Sequence, residues 1–237
     1  MKRTGLMLIV AALALACPAA AQVALTPVAI SGQQAAGLPE GVTYRDLLYT
    51  TPLVSPAGQL AIYSGLSSPG TTLSDEAIWV GLPGSLQLVA RAGMSAPGTE
   101  GRVYEILVTP ILNSSGNLAF SAHAGPTPFN GLWTGSPSSP TLAVSTGMQA
   151  AGFPDGVTHS NFWSGTIAFN DAGQIAFHGV VTGPGIIPGD NDQAIWAGSP
   201  ASLNLLARQD SPAPGADGGL FAYLQTPNTT ARPRPPK

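Results

Sequence analysis

Three copies of one sequence block, spaced at a nearly fixed interval, constrain the fold of this chain more than any other feature. The block centres on residues 113–120 (NSSGNLAF) and 170–177 (NDAGQIAF), with a weaker copy at 55–62 (SPAGQLAI). The glycines of the three copies are 58 and 57 residues apart. Because such periods are typical of stacked supersecondary units, the chain is predicted to be one domain assembled from similar modules.

The centre of the block predicts a β-hairpin. It opens with Asn113 or Asn170, whose side chain can accept a hydrogen bond from the backbone two residues later. Gly116 and Gly173 follow, and their freedom to adopt a left-handed conformation closes the turn. Because the two asparagines recur at the same place in a turn, they are interpreted as structural residues and not as ligands.

The strand after the turn alternates large residues with alanine and reaches Phe120 in one copy and Phe177 in the next. A period of two places one bulky face toward a core.

Tryptophan marks a second strand of every repeat. Trp79, Trp133 and Trp196 each stand inside a short apolar run that ends in glycine. One tryptophan per repeat in an apolar strand favours a core anchor over a sugar-stacking site. Trp163 falls outside the pattern and is the aromatic residue to test for ligand contact.

Each repeat contains four recurring extended pieces, which is the size of a propeller blade. Only 9% of residues are charged, so amphipathic helices with solvated faces are not expected. The predicted fold is all-β: a β-propeller-like array of about three four-stranded blades. A partial strand is expected at each end, at residues 28–37 and 221–227.

The N-terminus has the pattern of a secretory signal peptide. Lys2 and Arg3 precede an apolar run at residues 6–16, and alanines at 19–21 offer a cleavage site. Residues 1–21 are therefore predicted to be removed on export to a periplasmic or extracellular location. The run is too short for a transmembrane anchor, and none is expected in the mature chain. Cys17 leaves with the signal, so no disulfide is expected.

The repeat pattern stops before a fourth hairpin. The tandem β-repeat domain is predicted to span residues 22–227, followed by a disordered, proline-rich tail at 228–237. Because closed propellers need at least four blades, the chain is interpreted as a truncated relative of a longer protein or as an open array. Open blades leave strand edges unpaired, so self-association through these edges is expected.

These repeats resemble a bacterial family of exported tandem-repeat proteins with an Asn-x-x-Gly-x-x-Ala/Val-Phe motif, the choice-of-anchor repeat proteins. The resemblance rests on residues 113–120 and 170–177, the tryptophan strands and the segment 90–98 (ARAGMSAPG), and it covers residues 26–227. It implies export and stacked β-repeats. It supplies no catalytic residues, because that family has no established activity.

Candidate ligand residues are few. Asp190 and Asp192 lie in a loop rich in glycine and proline, and closely spaced carboxylates suit calcium, so they are the metal candidate. No other cofactor is expected. His123, His159 and His178 lack the spacing of a zinc site and are interpreted as strand residues.

Charge and motif content narrow the functions. Without Lys2 and Arg3, 7 basic residues stand against 12 acidic ones, which disfavours a nucleic-acid partner. Arg91 and Arg208 occupy matching repeat positions and are interpreted as solvated strand ends. Since no catalytic set is evident, the favoured function is a non-enzymatic interaction module that binds an unknown protein or glycan at the cell surface. A fragment without independent function and a propeller enzyme acting on polysaccharide are the alternatives.

Overall fold

The structure, a computed structural model, describes residues 27–47, 53–68, 75–108, 110–126, 129–162, 167–222 and 224. In these ranges the strands form three antiparallel sheets in chain order, which confirms the all-β fold with three repeated blades. No helix in the same ranges has the length and apolar character needed to cross a membrane. The signal segment 1–21, Trp163 and the tail 228–237 lie outside the described residues.

Every sheet has the same arrangement. In the first sheet two short strands, β1 (Thr43–Tyr44) and β2 (Leu53–Val54), both pair with the long strand β3 (Leu60–Ser67), and β4 (Glu76–Leu82) and β5 (Ser85–Arg91) follow. The second sheet contains β6 (Val103–Leu107), β7 (Ile111–Leu112), β8 (Leu118–Gly125), β9 (Asn130–Ser136) and β10 (Ser139–Ser145) in these roles. The third contains β11 (Thr158–Phe162), β12 (Ala168–Phe169), β13 (Ile175–Thr182), β14 (Gln193–Ser199) and β15 (Ser202–Arg208).

The first strand of each sheet is divided into two pieces, so each sheet has five strands where the sequence predicted four. In the second sheet Leu107 pairs with Ala122 and Ile111 with Ala119, so the β6–β7 side carries one residue more than β8. An extra residue of this kind makes a bulge and bends the strand. Pro110 lies in this interval and has no N–H to give to the ladder, which favours a break there.

Successive residues of each tryptophan strand point to opposite faces of the sheet, and the sheets stack through these two faces. Ile78 and Val80 of β4 pack in one cluster with Phe120 and Trp133 of the second sheet. Trp133 therefore faces the preceding sheet, whereas Ile78 and Val80 face the following one. The second and third sheets form an equivalent cluster, which includes Leu132, Ala143, Phe177 and Trp196.

A short loop before each sheet, here called the docking loop, anchors the tryptophan of that sheet. The indole Nε1 atoms donate to loop carbonyls: Trp79 to Ala36 at 2.8 Å, Trp133 to Pro97 at 2.9 Å and Trp196 to Ala151 at 2.9 Å. Residues 28–37 are the first docking loop and not the partial strand expected there, since Gln34 opposite Thr43 is an isolated bridge in a segment of turns. Their place before the first repeat has a physical reason, because they cover Trp79.

Candidate functional site

The turns of the repeated motif connect neighbouring sheets. Asn113 Oδ1 accepts hydrogen bonds from the backbone N–H groups of Ser115 at 3.1 Å and Asn117 at 2.9 Å. Its Nδ2 atom donates to the carbonyl of Asn170 in the next turn at 3.1 Å. Asn113 is buried and serves both its own turn and the joint between the second and third sheets.

The equivalent turn of the third sheet has the same internal bonds, and no further turn of this motif lies within the described residues. Asn170 Oδ1 accepts from the N–H groups of Ala172 at 3.0 Å and Gln174 at 2.9 Å. Its Nδ2 atom donates to Gln174 Oε1 at 2.8 Å, within the turn. Gly116 and Gly173, with φ angles of 81° and 75°, adopt the left-handed conformation in their turns.

His159 is an aromatic partner of the tryptophan core, a role that sequence reasoning missed. In the first two sheets a tyrosine, Tyr44 or Tyr104, packs edge-on against the tryptophan with ring centroids 5.0 and 5.1 Å apart. His159 takes this place against Trp196 at 4.6 Å. Burial lowers the pKa of His159 to about 4, so the ring is neutral at pH 7. When the docking loops and the residues after them are aligned in the sequence, Tyr44, Tyr104 and His159 occupy the same position. This alignment could have predicted the role of His159.

Polar residues at one end of the first sheet have structural partners. Asp75 accepts two hydrogen bonds from Arg91, at 3.0 Å and 2.6 Å, and this carboxylate raises the pKa of the guanidinium. Glu76 accepts hydrogen bonds from the Tyr63 hydroxyl and from the backbone N–H of Leu107 in the second sheet. Arg91 is the last residue of β5, as the interpretation of a strand end expected, but its side chain is held by the ion pair with Asp75 and is not freely solvated.

Arg208, at the matching position of the third sheet, has different partners. Its guanidinium carbon lies 4.9 Å from the ring centroid of Phe153, and its Nε atom donates to the carbonyl of Asn191 at 3.3 Å. Phe153 belongs to the docking loop of the third sheet and Asn191 to the loop before β14, so these contacts hold Arg208 against two loops.

The two metal candidates do not line the same cavity. Asp190 lines a polar cavity of about 390 Å³ together with Gly189, Gln209, Asp210 and Ala222, and Asp192 is not among the lining residues. In the part of the chain that the structure describes, no group of three or more acidic, histidine or cysteine side chains is placed to hold a metal ion. The calcium site stays a prediction.

The outward side of the third sheet is open where the other sheets are covered. Leu206 is 62% exposed, whereas Val89 and Ala143, at the equivalent positions of β5 and β10, are 6% and 7% exposed. Ile195 is likewise only partly buried, whereas its equivalent Ile78 is fully buried. We call this surface the third-sheet face and define it by Ala176, Ile195, Ala197 and Leu206.

A groove of about 470 Å³ runs along the third-sheet face toward the last turn. None of its ten lining residues has an ionisable side chain. They combine apolar groups, including Phe169, with the amides of Asn170, Gln174 and Asn204. The full lining is Ala168, Phe169, Asn170, Gln174, Ile175, Ala176, Ala197, Gly198, Asn204 and Leu206.

Comparison with known families agrees with the repeat architecture. A family of unknown function, DUF7453, matches the chain twice in tandem, at residues 19–128 and 123–232. The first match runs through β1 to β8 and the second takes in β9 to β15, so the two together span nearly the whole chain. No curated protein matches the chain. The tandem repeat is thereby supported, whereas the finer resemblance to choice-of-anchor repeat proteins is not confirmed.

Proposed function

We propose that this chain, which belongs to the family of unknown function DUF7453, is an exported, non-enzymatic β-repeat module that works by binding a partner. The partner is a protein or a glycan at the cell surface. The observation that carries the proposal is the third-sheet face, which leaves open the apolar positions that the first two sheets bury. Contiguous apolar surface of this kind marks interaction sites on soluble proteins.

The chemistry of the groove favours binding over catalysis. General acid–base catalysis needs a titratable side chain within hydrogen-bond reach of the substrate, and the groove-lining residues include none. Phe169 offers a ring for stacking, and the amides of Asn170, Gln174 and Asn204 offer donors and acceptors. An apolar wall with a few polar groups is typical of a site that binds a neutral ligand or a protein surface.

The polar and aromatic side chains that stand out in the repeats support the same proposal, because they make contacts within the fold. Asn113 bonds to the next turn, Arg91 pairs with Asp75, and His159 packs on Trp196. These side chains stabilise the array, so we assign the function to surface that the array presents.

Export is the part of the proposal that rests on sequence alone. The test is to express the chain with its own first 21 residues in a secreting host and to determine the mass of the product. We expect a mature chain that begins at Gln22. A product that stays inside the cell with its N-terminus intact would contradict export.

Binding is tested with the secreted product against oligosaccharides and isolated cell-envelope proteins. The variant Leu206→Gln changes the third-sheet face, and Leu82→Gln is its matched control, because Leu82 is 47% exposed on the first sheet. We expect wild-type binding that Leu206→Gln weakens by about tenfold, or about 1.4 kcal/mol, and that Leu82→Gln leaves unchanged. Absence of any bound partner, or equal binding by all three proteins, would refute the assignment.

A further inference from the structure

We propose that the third-sheet face and the loop that follows it form a receptor for a further β-sheet of the same repeat type, carried by another polypeptide. The tryptophan of that sheet has no docking loop of its own. The inference rests on the proposed function, because it takes the third-sheet face as the binding surface and names the class of its protein partner. It goes beyond the edge-to-edge association expected from the sequence, because a sheet face and a loop make the contact.

Residues 209–221, here called the fourth docking loop, fold like the three loops that hold a tryptophan. In the third docking loop the N–H of Gly147 donates to the carbonyl of His159 at 2.8 Å. In the fourth docking loop the N–H of Asp210 donates to the carbonyl of Phe221 at 2.9 Å. Asp210 has a φ angle of 62°, in the left-handed region that Gly147 occupies with 85°. The fourth docking loop is therefore formed in the same way as the third.

The fourth docking loop leaves partly exposed the side chains that the other docking loops bury. Phe221 has the position of Tyr44, Tyr104 and His159, which are each 2% exposed. Phe221 itself is only partly buried. Ala213 is likewise only partly buried, whereas its three equivalents are at most 3% exposed. These equivalents are Ala35, Ala96 and Ala150. The fourth docking loop thus presents the surface on which an indole lies in each of the other loops.

The core between two sheets has three parts, and two of them are present beyond the third sheet. Val89 from the outward side of the first sheet, Ala96 from a docking loop and Trp133 from the next sheet lie in one cluster. The cluster around Trp196 has the same composition. Beyond the third sheet, the third-sheet face and the fourth docking loop are the first two parts, with the Pro214 carbonyl at the position that accepts from an indole. The part that completes this core is a tryptophan strand.

The fourth docking loop ends in a segment suited to be the first strand of the bound sheet. Leu220 and Phe221 correspond to Thr43 and Tyr44 of β1, which pair with β3. Addition of an extended segment to the edge of a sheet is a common mode of protein recognition. The partner sheet therefore needs only the equivalents of β3, β4 and β5.

A second copy of this chain is not the occupant that this surface selects. Trp79 of its first sheet has no described sheet before it, but the indole N–H already donates to Ala36 and the ring already packs on Tyr44. A neighbouring sheet can join such a loop, as it does at Trp133, but a second docking loop cannot, because an indole has one N–H donor. No tryptophan follows Trp196 in this sequence, so the indole comes from another polypeptide.

The first test measures binding of a probe to the immobilised secreted product by surface plasmon resonance. The probe is residues 48–237 of this chain with Leu206→Asp. It lacks the first docking loop and β1, so Trp79 is free, and the carboxylate keeps the probe from binding further copies of itself. We expect a dissociation constant of about 10 μM or lower. The matched control is residues 22–237 with Leu206→Asp, which retains its docking loop and is expected to bind at least ~100-fold more weakly.

Variants of the immobilised chain locate the contact. Leu206→Asp buries an unpaired charge on the third-sheet face, and Phe221→Ala removes the ring that packs on the indole. We expect the first to weaken probe binding at least ~100-fold and the second about tenfold. The controls are Leu82→Asp on the first sheet and Leu220→Ala beside Phe221, and both are expected to leave binding unchanged. Leu82 and Leu220 are exposed, at 47% and 53%.

A second measurement decides the case of a probe that does not fold. Residues 163–208 are attached a second time after residue 224, in place of 225–237, which supplies a sheet without its own docking loop or first strand. The variant Leu206→Cys, in the original third sheet alone, is labelled with a thiol reagent. We expect labelling at least ~100-fold slower than in the unextended chain, because the added sheet covers the site. Equal labelling rates would overturn the receptor.

Three results of the first test would also overturn the receptor. They are a folded probe that does not bind, a control copy that binds as tightly as the probe, and binding that Phe221→Ala leaves unchanged. The proposed function is judged separately. A chain that ignores the probe but binds an envelope protein or a glycan in a Leu206-dependent way overturns the receptor and leaves the proposed function standing. A chain that binds neither overturns both.

Discussion

The second and third sheets have equivalent strands in the same arrangement, yet only the second sheet is covered by a neighbouring sheet on both sides. Trp133 of the second sheet and Trp196 of the third are both fully buried, because each faces the preceding sheet and a docking loop. On the opposite side, Ala143 of the second sheet is buried and Leu206 of the third is exposed. The strand sequence therefore decides which side chains point outward, whereas the neighbouring sheet decides whether they are buried.

The largest expected effect comes from removing a tryptophan. Trp133→Ala and Trp196→Ala each delete a fully buried indole and its hydrogen bond to a docking loop, and each is expected to cost about 3–5 kcal/mol. The two costs are expected to be similar, because the tryptophan side is covered in both sheets. Chemical denaturation measures them. A cost below about 1 kcal/mol for Trp196→Ala would contradict the comparison.

The next effect separates the covered outward side of the first sheet from the open outward side of the third. Ile78 is fully buried by the second sheet, and its equivalent Ile195 lies on the third-sheet face. Ile78→Ala is expected to lower the free energy of unfolding by about 2–5 kcal/mol, and Ile195→Ala by about 1 kcal/mol. Denaturation at low protein concentration keeps self-association out of the measurement. Equal costs would mean that the third-sheet face is covered within the monomer.

A pH titration tests the residue that distinguishes the third core from the first two. The folded-state pKa of His159 is about 4, below its ordinary value of 6.5, so the unfolded chain takes up a proton first as the pH falls. Stability that is present above pH 6.5 is therefore lost between pH 6.5 and pH 4, and this shift corresponds to about 3 kcal/mol. Denaturation at pH 7, 5 and 4 gives the loss.

The matched control for this titration is His159→Tyr, which installs the residue found in the first two sheets. The Tyr44 hydroxyl accepts a hydrogen bond from the Ala36 N–H at 3.0 Å, and Ala151 is equivalent to Ala36. Tyr104 has no such partner, because Pro97 at that position has no N–H. We expect His159→Tyr to fold and to reduce the acid-dependent loss. An unchanged pH profile would show that His159 is not its source.

The smallest effect distinguishes the two motif asparagines. Asn113→Ala loses two bonds in its turn and the bond to the Asn170 carbonyl in a buried setting, with an expected cost of about 2–3 kcal/mol. Asn170→Ala loses bonds within an exposed turn, at about 1 kcal/mol. Thermal unfolding of the two variants measures the difference. A larger cost for Asn170→Ala would reverse our assignment of the joint between the sheets.

The repeat period made the fold predictable, because it is a local and redundant signal. The hairpin turns recur at a nearly fixed spacing and a tryptophan strand follows each of them, so three copies were enough to predict three blades. The site was less predictable because it depends on what lies across a sheet. Leu206 and Val89 are apolar residues at the same position of equivalent strands. Only the packing of the sheets shows that Leu206 is exposed and Val89 is buried. The role of His159 was hidden for a similar reason. The docking loop beside it follows the last strand of the preceding sheet in the sequence, but it packs on the tryptophan of the next sheet.

Thiol labelling at three equivalent positions tests the central claim most directly. Val89→Cys, Ala143→Cys and Leu206→Cys, each in a Cys17→Ser background, are labelled under native conditions at low protein concentration. The structure predicts that Leu206→Cys reacts at close to the rate of an unfolded thiol, and that the two covered positions react at least ~100-fold more slowly, since they depend on local opening. Equal protection at all three positions would contradict the open third-sheet face.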